Sequence, residues 1–229
     1  MAITPTHRGA TAVAAASSIV VSAAGTLGNM LMCAVEVFDP FGSQTVTGIS
    51  SSHGTWTKVA GGTGTQGGTS RPWRNSELWS CPVGTTHTGD ITVTLSGTAD
   101  YATGKVAEIT GHDTGAPFGA DYNVVEAGSD SDHVTTGSGT AITLAGAAAG
   151  DLLFMTAQGE QASTGKWVEV QGGTTLLHTG AARPNAGGAF QSAYGHVTAA
   201  GATVTGGFSW WETDSSPTLY TFAEPIGCA

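Results

Sequence analysis

"GDITVTLSG" occupies residues 89–97. Ile91, Val93 and Leu95 alternate with Thr92, Thr94 and Ser96. A period of two puts one set on a core and the other in water, the signature of a strand with one buried face. "ATVTGGFSW" (202–210) repeats the alternation, with Val204 and Phe208 inward. "NMLMCAVEVF" (29–38) is apolar at both parities, so it predicts a central strand covered on both sides. Helical periodicity is nearly absent. The 35 glycines interrupt almost every window of helical length, each at a cost near 1 kcal/mol inside a helix.

The alternating stretch belongs to a longer pattern written twice. "SSIVVSAAGTLGNMLM" (17–32) is echoed by "TAITLAGAAAGDLLFM" (140–155), and "GTWTKVAGG" (54–62) by "GKWVEVQGG" (165–173). "ELWSCPV" (77–83) returns as "SAYGHV" (192–197), and "GDITVTLSG" as "GATVTGGFS" (201–209). "GKVAEITG" (104–111) returns as "LYTFAEPIG" (219–227), which puts Glu108 and Glu224 in matching places. Five phrases recur in one order. Each half supplies about six strands, and strands with one greasy face need a second layer. The expectation is an all-β fold, a jelly-roll-like β-sandwich of about 12–14 strands built from two related halves. Residues 1–11 read as an N-terminal arm and 12–229 as one domain, with halves 12–126 and 138–229. Turn-rich runs at 61–76, 127–140 and 178–188 read as loops. Trp56 and Trp167 read as paired anchors of the two halves.

Composition narrows the function. Only 10% of residues are charged, against roughly a quarter in a typical soluble domain. A surface of Thr, Ser, Gly and Ala packs on neighbours without desolvating many charges, which favours an assembly subunit and a homo-oligomer. The net charge is −10 and the seven Lys and Arg are scattered, so neither nucleic acid nor an anionic membrane is an expected partner. The start of the chain lacks the pattern of a signal peptide. Cys33, Cys81 and Cys228 are odd in number and far apart, neither a disulfide framework nor a zinc pattern. Cys33 reads as a small core residue.

The motifs of catalysis and metal binding are missing from the sequence or incomplete in it. Residues 62–67 fit GxGxxG literally, but no helical pattern follows, so a glycine-rich loop is the reading. There is no GxSxG, HExxH or GxxxxGK followed by Ser or Thr. His53, His87, His112 and His133 sit beside turn residues and read as surface rings. "GSDSDH" offers Asp130, Asp132 and His133 but lacks the further oxygen ligands of a calcium loop. Glu36 with Asp39, or Glu212 with Asp214, could be paired as glycosidase carboxylates only if a cleft separated them suitably. The expectation is no catalytic residue, no metal and no cofactor. The candidate partner-binding residues are Arg71, Trp73 and Arg74 in the loop "RPWRN", together with Trp211. Arg and Trp dominate binding hot spots. Of the adjacent pair Trp210–Trp211 at most one ring enters a core, because neighbours in a strand face opposite ways.

Gly150–Leu153, Trp167–Gly173, Tyr194, Thr203–Thr205 and Val106–Gly111 together resemble the "GDLL", "W.V.GG", aromatic, "TVT" and "AEITG" phrases of virion proteins of tailed phages, especially those of actinobacteria. The resemblance spans most of residues 17–226. It implies a β-sandwich head-decoration or minor tail protein in the virion, partnered by major capsid or tail subunits, made in the host cytoplasm and without enzymatic activity. It carries over no functional residue. A carbohydrate-binding module that stacks a surface glycan on Trp73, Trp210 or Trp211 is the alternative.

Overall fold

The computed structural model describes residues 3–39, 44–64, 73–115, 117–118, 123–127, 140–144, 151–159, 167–171, 175–181, 189–196, 204–211 and 219–226. Every regular element among them is a β-strand, and every pairing is antiparallel. The fourteen described strands fall within the expected range of twelve to fourteen. Two compact units divide the chain: Thr4–Gly111, and residues 112–229 with 1–3.

The unit Thr4–Gly111 contains β1 (Thr4–Gly25), β2 (Met30–Asp39), β3 (Val46–Ser51), β4 (Thr57–Gly64), β5 (Trp73–Pro82) and β6 (His87–Thr110). The sheet runs β1-β6-β2-β5-β4, with β3 also paired to β6. β1 and β6 pair from Thr4↔Thr110 to Gly25↔His87, with register shifts at His7/Gly9 and Ala16/Ser18. Just before the second shift Ala15 takes a left-handed φ of 49°. An irregularity of this kind bends a strand while the ladder continues on either side. The bend lets the sheet fold over itself. A β-carbon on Gly104, in the second part of β6, would lie 3.0 Å from Val21 Cγ2 in the second part of β1.

The core lies inside that fold. Ile19, Val21 and Ala23 of β1 and Ile91, Val93 and Leu95 of β6 cluster with Leu31, Cys33, Val35 and Val37 of β2. Trp56, Cys81, Val83, Ala99, Ala102 and Val106 complete the cluster. The alternation in "GDITVTLSG" is realised: 91, 93 and 95 are buried, while Thr94 and Ser96 are exposed. The apolar stretch at both parities is realised too. Met30, Met32 and Ala34 on the opposite face of β2 are as buried as Leu31, Cys33 and Val35. Trp56 anchors the core as expected, its ring buried and its Nε1–H donating to Ser51 Oγ at 2.9 Å.

The second unit contains β7 (Asn123–Ala127), β8 (Thr140–Leu144), β9 (Leu152–Gly159), β10 (Trp167–Gln171), β11 (Thr175–Ala181), β12 (Ala189–His196), β13 (Val204–Trp211) and β14 (Leu219–Ile226). One sheet has the order β11-β12-β9-β14-β7 and the other β10-β13-β8. If β7 and β8 stand for the two parts of β1, and β13 and β14 for the two parts of β6, both orders match those of the first unit. Four of the five repeated phrases fall on strands that correspond in this way. The tryptophan phrase does not. Trp167 opens β10, which pairs with β13 as β3 pairs with β6, whereas Thr57–Gly64 pairs with β5. The counterpart of β4 is β11, so Trp56 and Trp167 are not equivalent anchors. A tryptophan, an alternation and two glycines suit any strand that ends at a turn.

Residues 4–11, expected in the arm, form the start of β1 and pair with Thr110 back to Gly104. The turn-rich run 61–76 is strand at both ends. β4 continues to Gly64 and β5 begins at Trp73, because the ladder extends as far as Gly64↔Arg74 and Asp39↔Trp73.

Candidate interaction surface

The second part of β1 and the first part of β6 turn Ile19, Val21, Ala23, Ile91, Val93 and Leu95 inward, which leaves an outer face that is mostly polar. Ser18 lies opposite Thr94, which lies opposite Gly48; Val20, Thr92 and Ser50 form the next row. Ser18, Val20, Ser22, Thr94 and Ser50 are exposed. Asp90, opposite Ser22, is the sole charge of this register block. The face is a field of hydroxyls around one valine. It can be covered without desolvating a row of charges.

Beside it, the turn Thr26–Asn29 presents Leu27, 63% exposed. The Asn29 N–H donates to the Thr26 carbonyl at 3.0 Å, and Gly28 takes the positive φ of 85° that such a turn requires. Val83 exchanges hydrogen bonds with this loop: Gly28 N–H donates to the Val83 carbonyl, and Val83 N–H to the Asn29 carbonyl. Beneath the turn lies the carboxylate of Glu108, itself fully buried. Glu108 Oε1 accepts from the Thr26 N–H at 2.7 Å and from Asn29 Nδ2 at 2.8 Å; Oε2 accepts from Arg8 Nε at 2.8 Å and from the Arg8 terminal nitrogen. The extra residue at the His7/Gly9 register shift is Arg8, so the irregularity delivers the guanidinium to the carboxylate. Burial alone would push the Glu108 carboxyl up. The donors Asn29, Thr26 and Arg8 together outweigh it and hold the group below the usual carboxylate range.

Of the residues expected to bind a partner, Trp73 and Arg74 are the first two residues of β5, not loop residues. Trp73 stands opposite Asp39, and Arg74 between Phe38 and Gly64. Arg71 lies outside the described residues. Trp211 ends β13 in the other unit, opposite Trp167, while Trp210 is opposite Val168. Leu27, Val20 and the latch of Arg8 with Glu108 were not legible as site residues, because their setting depends on pairings about 60 to 100 residues apart.

The other titratable groups serve structure. Glu36 is fully buried between Thr103 and Lys105, so it faces no cleft in which a glycosidic bond could sit. His53, read as a surface ring, is 1% exposed. Its Nε2 lies 3.2 Å from the His87 carbonyl, and its ring meets the His87 ring edge-on. His112 is buried as well. Glu77 accepts from Trp79 Nε1 at 2.7 Å and pairs with Lys58 at 3.0 Å. Among the described residues no three His, Cys, Asp or Glu come together as metal ligands. Asp130, Asp132, His133, Glu212 and Asp214 lie outside them. No helix among the described residues is long and apolar enough to cross a membrane.

No protein-family model, no curated protein and no solved structure matches the chain.

Proposed function

We propose that the chain is a non-enzymatic structural protein of a phage virion, a decoration protein that bridges capsid subunits. The observation that carries this reading is the hydroxyl-rich outer face of β1, β6 and β3, with Asp90 as its one charge, flanked by a turn that is locked at its base and exposes Leu27. Such a surface adds buried area to an assembled shell, and binding only the assembled state shifts the equilibrium towards it. Repetition over a symmetric lattice multiplies weak contacts into avidity. In this reading the whole chain is a jelly-roll-like sandwich of two related halves. The matching strand orders and the closeness of Gly104 to Val21 support it. Purified protein is mixed with particles that lack it and imaged. Regular density on the shell is the expected result; failure to associate with any particle removes the proposal. Density confined to the tail assigns the minor-tail alternative.

The register of Trp167 with Trp211 favours a second reading, a glycan-stacking module, since it sets two tryptophans opposite each other on adjacent strands. A glycan array without a hit, or hits unchanged by Trp211→Ala, removes it.

A further inference from the structure

We propose that Lys105 and Glu36 form an intramolecular amide, a covalent staple between β6 and β2. Glu36 lies opposite Thr103 and Ala34 opposite Lys105, so the two charged residues are diagonal neighbours on one face of adjacent strands. Lys105 Nζ is 3.0 Å from Glu36 Oε1. Glu36 has no exposed surface and Lys105 is 4% exposed. Met32, Ala34, Leu78 and Tyr101, which share this face by register, are buried too.

Each side chain has a part in the step. Burial lowers the affinity of Lys105 for its proton, against the pull of Glu36, and so favours the free amine. Transfer of that proton along the hydrogen bond to Oε1 leaves a neutral amine beside a neutral carboxyl, the reactive pair. Rotation about the soft terminal torsion of glutamate presents Cδ to the nitrogen lone pair. Nζ then bonds to Cδ, and the carbonyl electron pair moves to Oε2. Thr103 Oγ1, which donates to that oxygen at 2.7 Å before the rotation, is the donor at hand to stabilise the developing negative charge. Oε1 departs as water with its own proton and one from nitrogen, and the remaining amide is neutral. No oxidant or other reactant is needed. Holding the two groups side by side in a dry site removes the entropic cost of bringing them together, which a bimolecular condensation in water must meet. The product also removes two charges from a site where charge is costly.

The test is the intact mass of the folded, purified full-length protein after incubation at 37 °C, read under denaturing, reducing conditions. The expected mass is lower than that of the sequence by one water. Trypsin should fail to cleave after Lys105, so that the peptide 9–58 appears joined to 75–166. A sample held unfolded in urea from synthesis should retain its full mass. Thr103→Val should form the link more slowly, by at least tenfold for one lost oxyanion donor. Full mass with complete cleavage after Lys105 overturns the proposal, as does a water loss mapped to other residues. The decisive measurement needs no variant, so a substitution that prevents folding cannot obscure the outcome.

Discussion

Gly9 lies against the carbonyl oxygen of Ser22, further along the same strand: a β-carbon on Gly9 would come within 2.5 Å of it. This contact and that of Gly104 with Val21 mark where the two parts of β1 and β6 meet. Alanine at Gly9 must move backbone, and should cost about 2–3 kcal/mol. Alanine at Gly104 meets the Cγ2 of a packed valine and should cost about 1–2 kcal/mol. Gly48 of β3 faces open space, so Gly48→Ala should be neutral or stabilise by up to about 1 kcal/mol. Urea midpoints at constant m-value measure the series. Equal effects at the three positions would mean that the sheet does not fold over itself at Gly9 and Gly104.

Ala15 makes the opposite prediction. Its φ of 49° at the bend of β1 is a conformation that an L-residue other than glycine occupies at a cost of about 1–2 kcal/mol. Ala15→Gly removes that strain but gives the unfolded chain about 0.4–1 kcal/mol of extra freedom. The net expectation is a gain of roughly 0.5–1 kcal/mol, with a loss for Ala15→Val, whose branched side chain tolerates positive φ least. A thermal melt of the three proteins decides it.

The bend also explains what was legible in the sequence. Local alternation identifies the strand around Ile91 because a half-buried strand is written in its own residues. It cannot show that the strand continues through Ser96, Gly97 and Thr98 to Thr110, since those residues also suit a turn. Pairing with β1 decides the matter. His53 reads as a surface ring beside Ser51, Ser52 and Gly54. Gly25, distant in sequence, closes over it: a β-carbon on Gly25 would meet the His53 ring at 2.9 Å. Arg8 looks like a charge in a loose arm until the register places it at Glu108. Trp73 and Arg74 look like loop residues because glycines precede them, yet the ladder claims both. In each case a long-range partner overrides local composition.

The latch of Arg8 and Glu108 predicts a pH dependence. The Glu108 carboxyl titrates lower in the folded protein than in the unfolded chain. Its contribution is therefore full above the unfolded carboxylate range and is lost as pH falls through the folded value. Glu108→Gln should cost about 3 kcal/mol at pH 7, because Arg8 loses its partner and the turn beneath Leu27 a charged acceptor. The gap to the wild type should close as pH drops below the carboxylate range. Chemical denaturation at pH 7, 5 and 3 measures it. A gap constant across that range would show that the charge of Glu108 contributes nothing.

Thiol accessibility gives the last test. Cys33 and Cys81 face the same core from neighbouring strands; Leu31 is opposite Cys81, and Cys33 is opposite Trp79. Burial pushes the Cys33 thiol up to about 12 and the Cys81 thiol up to about 11. Attack on a disulfide reagent requires thiolate. At pH 8 both groups are almost wholly protonated and shielded, so the folded protein should protect them for as long as it stays folded. Denaturant should release them together, since one core holds both. Peptide mapping after timed alkylation separates them from Cys228. Rapid native labelling of Cys81 alone would mean that the β2–β5 side of the core opens independently of the rest.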